Sequence, residues 1–195
     1  TYMNSPIAIN GFINGISQLV YFIVPTVIGA TVYRDFKYNV HTILFSYPFT
    51  KFDYLVGKFL SGLFITVLIT LSIGFGFLVA SILPFANQDL LGPLRIWAYF
   101  QSYLLFTIPN IFFIGTILFA LVTMTRNVAI GFIFVVVLFV IQAVISNLTN
   151  DMENKYLAAL IDPYGTEALH YVTKYWTIDE QNGNNIPFDE VIIYN

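Results

Sequence analysis

Residues 128–148 read VAIGFIFVVVLFVIQAVISNL and lie inside an uncharged run from Asn127 to Asn150. A helix needs about 20 mostly apolar residues to cross a ~30 Å hydrocarbon core. A membrane-barrel strand alternates lipid-facing and lumen-facing residues, and Gly131 to Ile141 shows no alternation. Backbone groups in lipid must pair internally, so this run reads as a helix. Three longer uncharged runs precede it: Ser5–Tyr33, Phe59–Gln88 and Ile96–Thr125. The chain is therefore read as an all-α, polytopic transmembrane helical bundle, with spans near 7–30, 58–83, 97–122 and 128–148. Pro25 and Pro109 fall inside two of them, where a membrane helix tolerates proline as a kink.

Composition agrees. Of 195 residues, 57% are hydrophobic and 10% charged, and the mean hydropathy is +0.76. A soluble domain carries about 25% charged residues, so soluble enzymes, nucleic-acid binders and disordered chains are excluded. The absence of cysteine removes disulfides, thiolate metal sites and a cysteine nucleophile. A net charge of −3 offers nothing to nucleic acid. The first residue is Thr1 and no signal peptide opens the chain, so it is read as a piece of a longer membrane protein.

Arg34, Lys37, Lys51 and Lys58 share one inter-span connection, and Arg126 lies in the turn on the same side. The excess of basic residues places that side in the cytoplasm and both ends of the chain outside. Within the connection, Phe36, Val40, Ile43, Leu44 and Tyr47 recur at helical spacing, which predicts an amphipathic surface helix ending before Pro48. Such a helix rests on lipid headgroups or docks into a partner, and physics alone leaves both open. From Asp151 the composition turns polar and acidic, dividing a membrane region, 1–150, from an external segment, 151–195, with some helical period.

The residues that carry chemistry are few. His41 and His170 fall on opposite sides, no H-E-x-x-H or G-x-S-x-G motif occurs, and Gly57-Lys58 lacks the rest of a phosphate-binding loop. No catalytic or metal-ligating residue is assigned. Two polar stripes stand out. Asn10, Asn14, Ser17 and Gln18 share one face of the first span beside Gly11 and Gly15, and Gln142 and Ser146 share a face of the fourth. They act as helix–helix glue or line a translocation path or dimer seam. Apart from Lys58 at the very start of the second span, charge is absent from the spans, which argues against ion-coupled transport.

The order of Tyr33-Arg-Asp35, Phe45-Ser-Tyr-Pro-Phe-Thr-Lys51 and Tyr54-Leu-Val-Gly-Lys58 resembles ABC-2-type permeases, the membrane subunits of bacterial ATP-binding-cassette exporters. Asp162-Pro-Tyr-Gly165, Tyr175-Trp-Thr177, Glu180 and Asn182 are similar to the external region before the last helix in a branch that can be fused to a zinc aminopeptidase-like domain. The resemblance implies a six-helix subunit of which this chain holds helices two to five, in the inner membrane, dimeric and coupled to a cytoplasmic ATPase subunit. That partner would bind ATP and magnesium, with no cofactor in this chain. It also implies that Arg34, Asp35, Phe36, Val40, Ile43, Leu44, Tyr47, Pro48, Lys51, Gly57 and Lys58 serve coupling, and that the two polar stripes lie beside a central cavity. A membrane anchor for a fused external enzyme and an ATP-independent transporter are the alternatives. The substrate is not legible.

Overall fold

The computed structural model describes residues 1–40, 48, 50–83, 87–148 and 155–195, and among these it is helical with no strand. Helix α1, Pro6–Val20, opens with Pro at its first position and the Ser5 hydroxyl accepting from the Ala8 N–H, a pairing that satisfies an otherwise orphaned donor. The helix tightens at Tyr21, Phe22 and Ile23, whose N–H groups each donate three residues back. It then widens into a π-turn over Pro25–Gly29 and resumes as α2, Ala30–Lys37. Pro25 has no N–H and its ring would strike the carbonyl a turn earlier, so the helix bends there by 46°.

Only taken together are the two halves long and apolar enough for a span, and they run further than the expected 7–30. Arg34, Asp35 and Phe36 therefore occupy the last turn of α2, continuous with the bent helix from Pro6, where the sequence pattern had put the start of a surface helix. The helix stops at Tyr38, and Asn39 takes a left-handed conformation with φ 55°. The expected surface helix through Ile43, Leu44 and Tyr47 lies outside the described residues.

Helix α3, Lys51–Ile82, starts earlier than expected because Thr50 and Asp53 form a reciprocal capping box. The third span, Ile96–Thr125, comprises α4 (Ile96–Ser102), a π-turn (Tyr103–Thr107) and α5 (Ile108–Thr125). The π-turn sits just before Pro109, where the missing N–H frees a carbonyl. Arg126, with φ 53°, ends α5. The Asn127 side chain then accepts from the Ala129 N–H and starts α6, Val128–Leu148.

The bundle closes around Tyr21, Val24 and Ile28 of the first span, Ile111, Ile114 and Leu118 of α5 and Val135 of α6. Close approach depends on small residues. A Cβ on Gly62 would meet the Ile28 backbone at 3.0 Å, so α3 lies directly on the first span. Large apolar side chains such as Phe64, Phe75, Phe113, Ile133 and Val140 point outward, where they suit lipid. Four short helices, α7 (Lys155–Ile161), α8 (Thr166–Thr173), α9 (Ile178–Gly183) and α10 (Glu190–Tyr194), cap one end of the bundle. That end is the tail face, and the end carrying Arg34, Lys58 and Arg126 is the basic face.

Candidate functional site

At the basic face the helix ends are locked together. The Asp35 carboxylate accepts from the Tyr54 hydroxyl at 2.6 Å and pairs with the Lys58 ammonium at 2.8 Å. The Asp35 side chain is 14% exposed and that of Lys58 32%, so the pair is shielded more than a surface ion pair but keeps water at the lysine end. Helical geometry explains the fit, since Tyr54 and Lys58 are four residues apart on one face of α3. Next to it, the Arg126 guanidinium sits 4.5 Å from the centre of the Phe36 ring, a cation–π contact that ties the α5–α6 turn to α2. Three spans thus share one joint.

A cavity of ≈ 470 Å³ lined by Asp53, Tyr54, Gly57, Lys58 and Ser61 opens beside it. Arg34, Lys37, Tyr38, Val40, Pro48, Lys51, Phe52 and Gly57 are exposed around the joint. Of the residues that the resemblance assigns to coupling, the structure brings Asp35 and Lys58 into one contact and Phe36 into its neighbour. It leaves Arg34, Val40, Pro48, Lys51 and Gly57 on the open face, and Ile43, Leu44 and Tyr47 lie outside the described residues. The partnership of Tyr54 with Asp35 is absent from the sequence reading, although its spacing from Lys58 was a signal for it.

The tail face is organised by one turn. Asp162 accepts from the Tyr164 N–H at 3.0 Å and the Glu167 N–H at 2.7 Å, an Asx-turn that also caps α8. Gly165 follows at φ 73°, and a Cβ there would come within 2.7 Å of Phe106 in the π-turn of the third span, so both backbone and space demand glycine. The turn drives Tyr164 into the bundle. Its ring stacks on Tyr21 at 5.4 Å and tilts against Phe139 of α6 at 5.7 Å. Its carbonyl accepts from the side-chain amides of Asn14 and Asn110, both at 3.1 Å.

Further polar clasps hold the tail. Gln101 exchanges hydrogen bonds with both backbone groups of Ile186, Arg95 donates to the Gly183 carbonyl, and the Asn195 amide donates to the carbonyls of Ala159 and Asp162. Asn4 and Gly92 pair reciprocally at 2.7 Å.

The first polar stripe faces inward. Asn10, Asn14 and Ser17 are buried and Gln18 is partly so, while Gly11 and Gly15 lie on the opposite, open side of α1 with no neighbour within Cβ reach. Gln142 is half-buried one turn beyond Phe139, and Ser146 is exposed and donates to Glu167 of α8 at 3.0 Å. Burial of Asp162 pushes its carboxyl above the usual range, opposed by the backbone N–H groups it accepts from.

A third polar contact has no counterpart in the sequence reading. The Tyr103 hydroxyl donates to the Thr70 carbonyl at 2.7 Å and accepts from the Gly74 N–H at 2.8 Å. Its signal was the spacing Gly62, Thr66, Thr70, Gly74, which forms the buried stripe of α3. Among the described residues no group of three or more His, Asp or Glu is placed to hold a metal.

Three helices long and apolar enough to span a bilayer, and a helix pair bent near Pro25 that makes a fourth when counted as one span, define a multi-pass α-helical membrane protein. Residues 41–179, more than half of the chain, match the family described as ABC-2 family transporter protein, and the chain belongs to that family. No curated protein and no solved structure matches the chain.

Proposed function

We propose that the chain is the transmembrane permease part of an exporter driven by ATP that a separate cytoplasmic subunit hydrolyses, with the basic face in the cytoplasm and a second permease copy completing the pathway. The carrying observation is the joint at the basic face. Asp35–Tyr54–Lys58 and Phe36–Arg126 connect three spans at a point ringed by exposed Arg34, Tyr38, Val40, Lys51 and Phe52. A load applied there by a partner moves several helices together, which a lipid-resting helix would not need. Energy enters such a system only through contacts that differ between two states. ATP and magnesium would be held by the partner, and this chain supplies the aromatic and basic docking face.

The test is to purify the intact protein from its native membrane and identify what accompanies it. An ATPase with a G-x-x-x-x-G-K-[ST] loop should co-purify. Replacing exposed Tyr38 and Val40 by Asp should release it or abolish its stimulation while membrane insertion persists. Full stimulation in that variant refutes the docking face, and no ATPase by co-purification or by cross-linking in intact membranes refutes the exporter.

A further inference from the structure

We propose that the Asp162–Gly165 turn is a removable plug, seated in a subsite of the bundle that recognises a peptide-like ligand: a neutral amide carrying an aromatic ring. Tyr164 occupies that subsite as a surrogate for the ligand. Two amides from different spans, Asn14 and Asn110, converge on its single carbonyl at 3.1 Å each. Its ring lies between Tyr21 and Phe139. This is how a site reads a carbonyl next to an aromatic side chain.

The fit is incomplete in an informative way. The Asn14 side-chain oxygen, the Ser17 hydroxyl and the Tyr164 hydroxyl are buried without a partner among the described residues, in side chains no more than 3% exposed. Buried polar groups are normally paired. Tyr164 cannot satisfy the Asn14 oxygen with its own amide N–H, because Asp162 already takes it. An incoming primary amide, whose C=O and one N–H lie on the same side, offers both a carbonyl for the two Asn donors and an N–H for the Asn14 acceptor, whereas a trans secondary amide points the two in opposite directions. Among the described residues, the span side chains that meet Tyr164, namely Asn14, Tyr21, Asn110 and Phe139, are all uncharged, so the ligand group the subsite takes is neutral.

The surroundings can move. The plug touches the first span at Tyr21, where that helix is broken ahead of Pro25, and the third at Phe106, inside its π-turn. Such irregularities mark positions where helices bend. Around the plug the tail is held by hydrogen bonds of Gln101, Arg95 and Asn195, which can open as a local unit. The proposal deepens the exporter reading by naming a substrate class, and relies on that reading only for the direction of transport.

The experiment uses the full chain in nanodiscs without an ATPase, so its failure is separate from a failure to find that partner. The chain has no cysteine, and Ser17→Cys places one small buried thiol on the face of the first span between Asn14 and Tyr21, the two residues of that span that meet Tyr164. Labelling by a water-soluble methanethiosulfonate should be slow but measurable with Tyr164 present, which reads the opening of the turn, and about tenfold faster with Tyr164→Ala, which removes the ring. Tyr164→Ala removes the ring and keeps the backbone carbonyl on Asn14 and Asn110, so the ligand must compete with the remaining turn, and in that background N-acetyl-L-tyrosinamide at millimolar concentration should slow labelling about fivefold by mass action. N-acetyl-L-leucinamide, without the ring, and p-cresol, without the amide, should leave it nearly unchanged. Where Tyr164→Ala fails to accumulate, Tyr164→Leu serves the same comparison. No labelling at all with Tyr164 in place refutes a removable plug. Absent protection by the tyrosinamide, or equal protection by all three compounds, refutes the peptide-like subsite.

Discussion

Breaking the joint between Asp35 and Lys58 should cost stability that neither residue carries alone. Hydrogen bonds to charged groups contribute about 1.5–3 kcal/mol, whereas an exposed ion pair contributes about 0.2–1 kcal/mol. With Lys58 32% exposed and Asp35 14% exposed, screening at the lysine end pulls the pair below the first range, and a coupling of about 1–1.5 kcal/mol is expected. Asp35→Asn weakens both the lysine and the tyrosine contacts and should cost about 2 kcal/mol. Lys58→Met keeps the stem of the side chain and leaves Asp35 with the Tyr54 hydroxyl and its other neighbours, and it should cost slightly less. The double variant should be less unstable than the sum of the two, by the coupling energy. The assay is equilibrium unfolding in mixed micelles, followed by the fluorescence of Trp97 and Trp176. Repeating the cycle at high salt should retain most of the coupling, because shielded pairs are screened less than exposed ones. A coupling below about 0.3 kcal/mol, within the additivity seen for independent sites, would refute the claim that this contact joins the spans.

Gly74→Ala should be destabilising despite the higher helix propensity of alanine, because the new Cβ falls 2.4 Å from the Tyr103 hydroxyl. Displacing that hydroxyl loses two interhelical hydrogen bonds worth about 0.6 kcal/mol each on average in membranes, and Tyr103→Phe, which removes the bonds without the clash, should cost less in the same unfolding assay. Asp162 gives the tail a pH dependence. Its folded carboxyl titrates above its unfolded value, so its contribution to stability is fully present below the unfolded pKa and is lost as pH rises through the folded one. Acidification from neutral pH should therefore raise the protection of α7 and α8 against hydrogen exchange, measured relative to the intrinsic rate at each pH, and Asp162→Asn should flatten that response. An unchanged slope in the variant would assign the effect elsewhere.

The sequence by itself determined that the chain is a multi-pass helical bundle. Each uncharged run is long enough for a helix, and the backbone of such a run can satisfy its hydrogen bonds only internally. It also marked Pro25 and Pro109 as sites of irregularity inside spans, whereas the caps at Ser5 and Thr50 and the turn at Asp162 came only with the structure. The tertiary structure decided which way each helix faces. Helix α3 is apolar all round, and in lipid an apolar side chain gains as much outside the bundle as inside it, so no periodicity marks Gly62, Thr66, Thr70 and Gly74 as the packed face until Ile28 and Tyr103 arrive. The same holds for Asn10, Asn14 and Ser17. Their shared face was legible, but whether it turned to a path, a seam or the subunit interior depended on Tyr164, brought from the far end of the chain by a turn whose own sequence says nothing of where it lands.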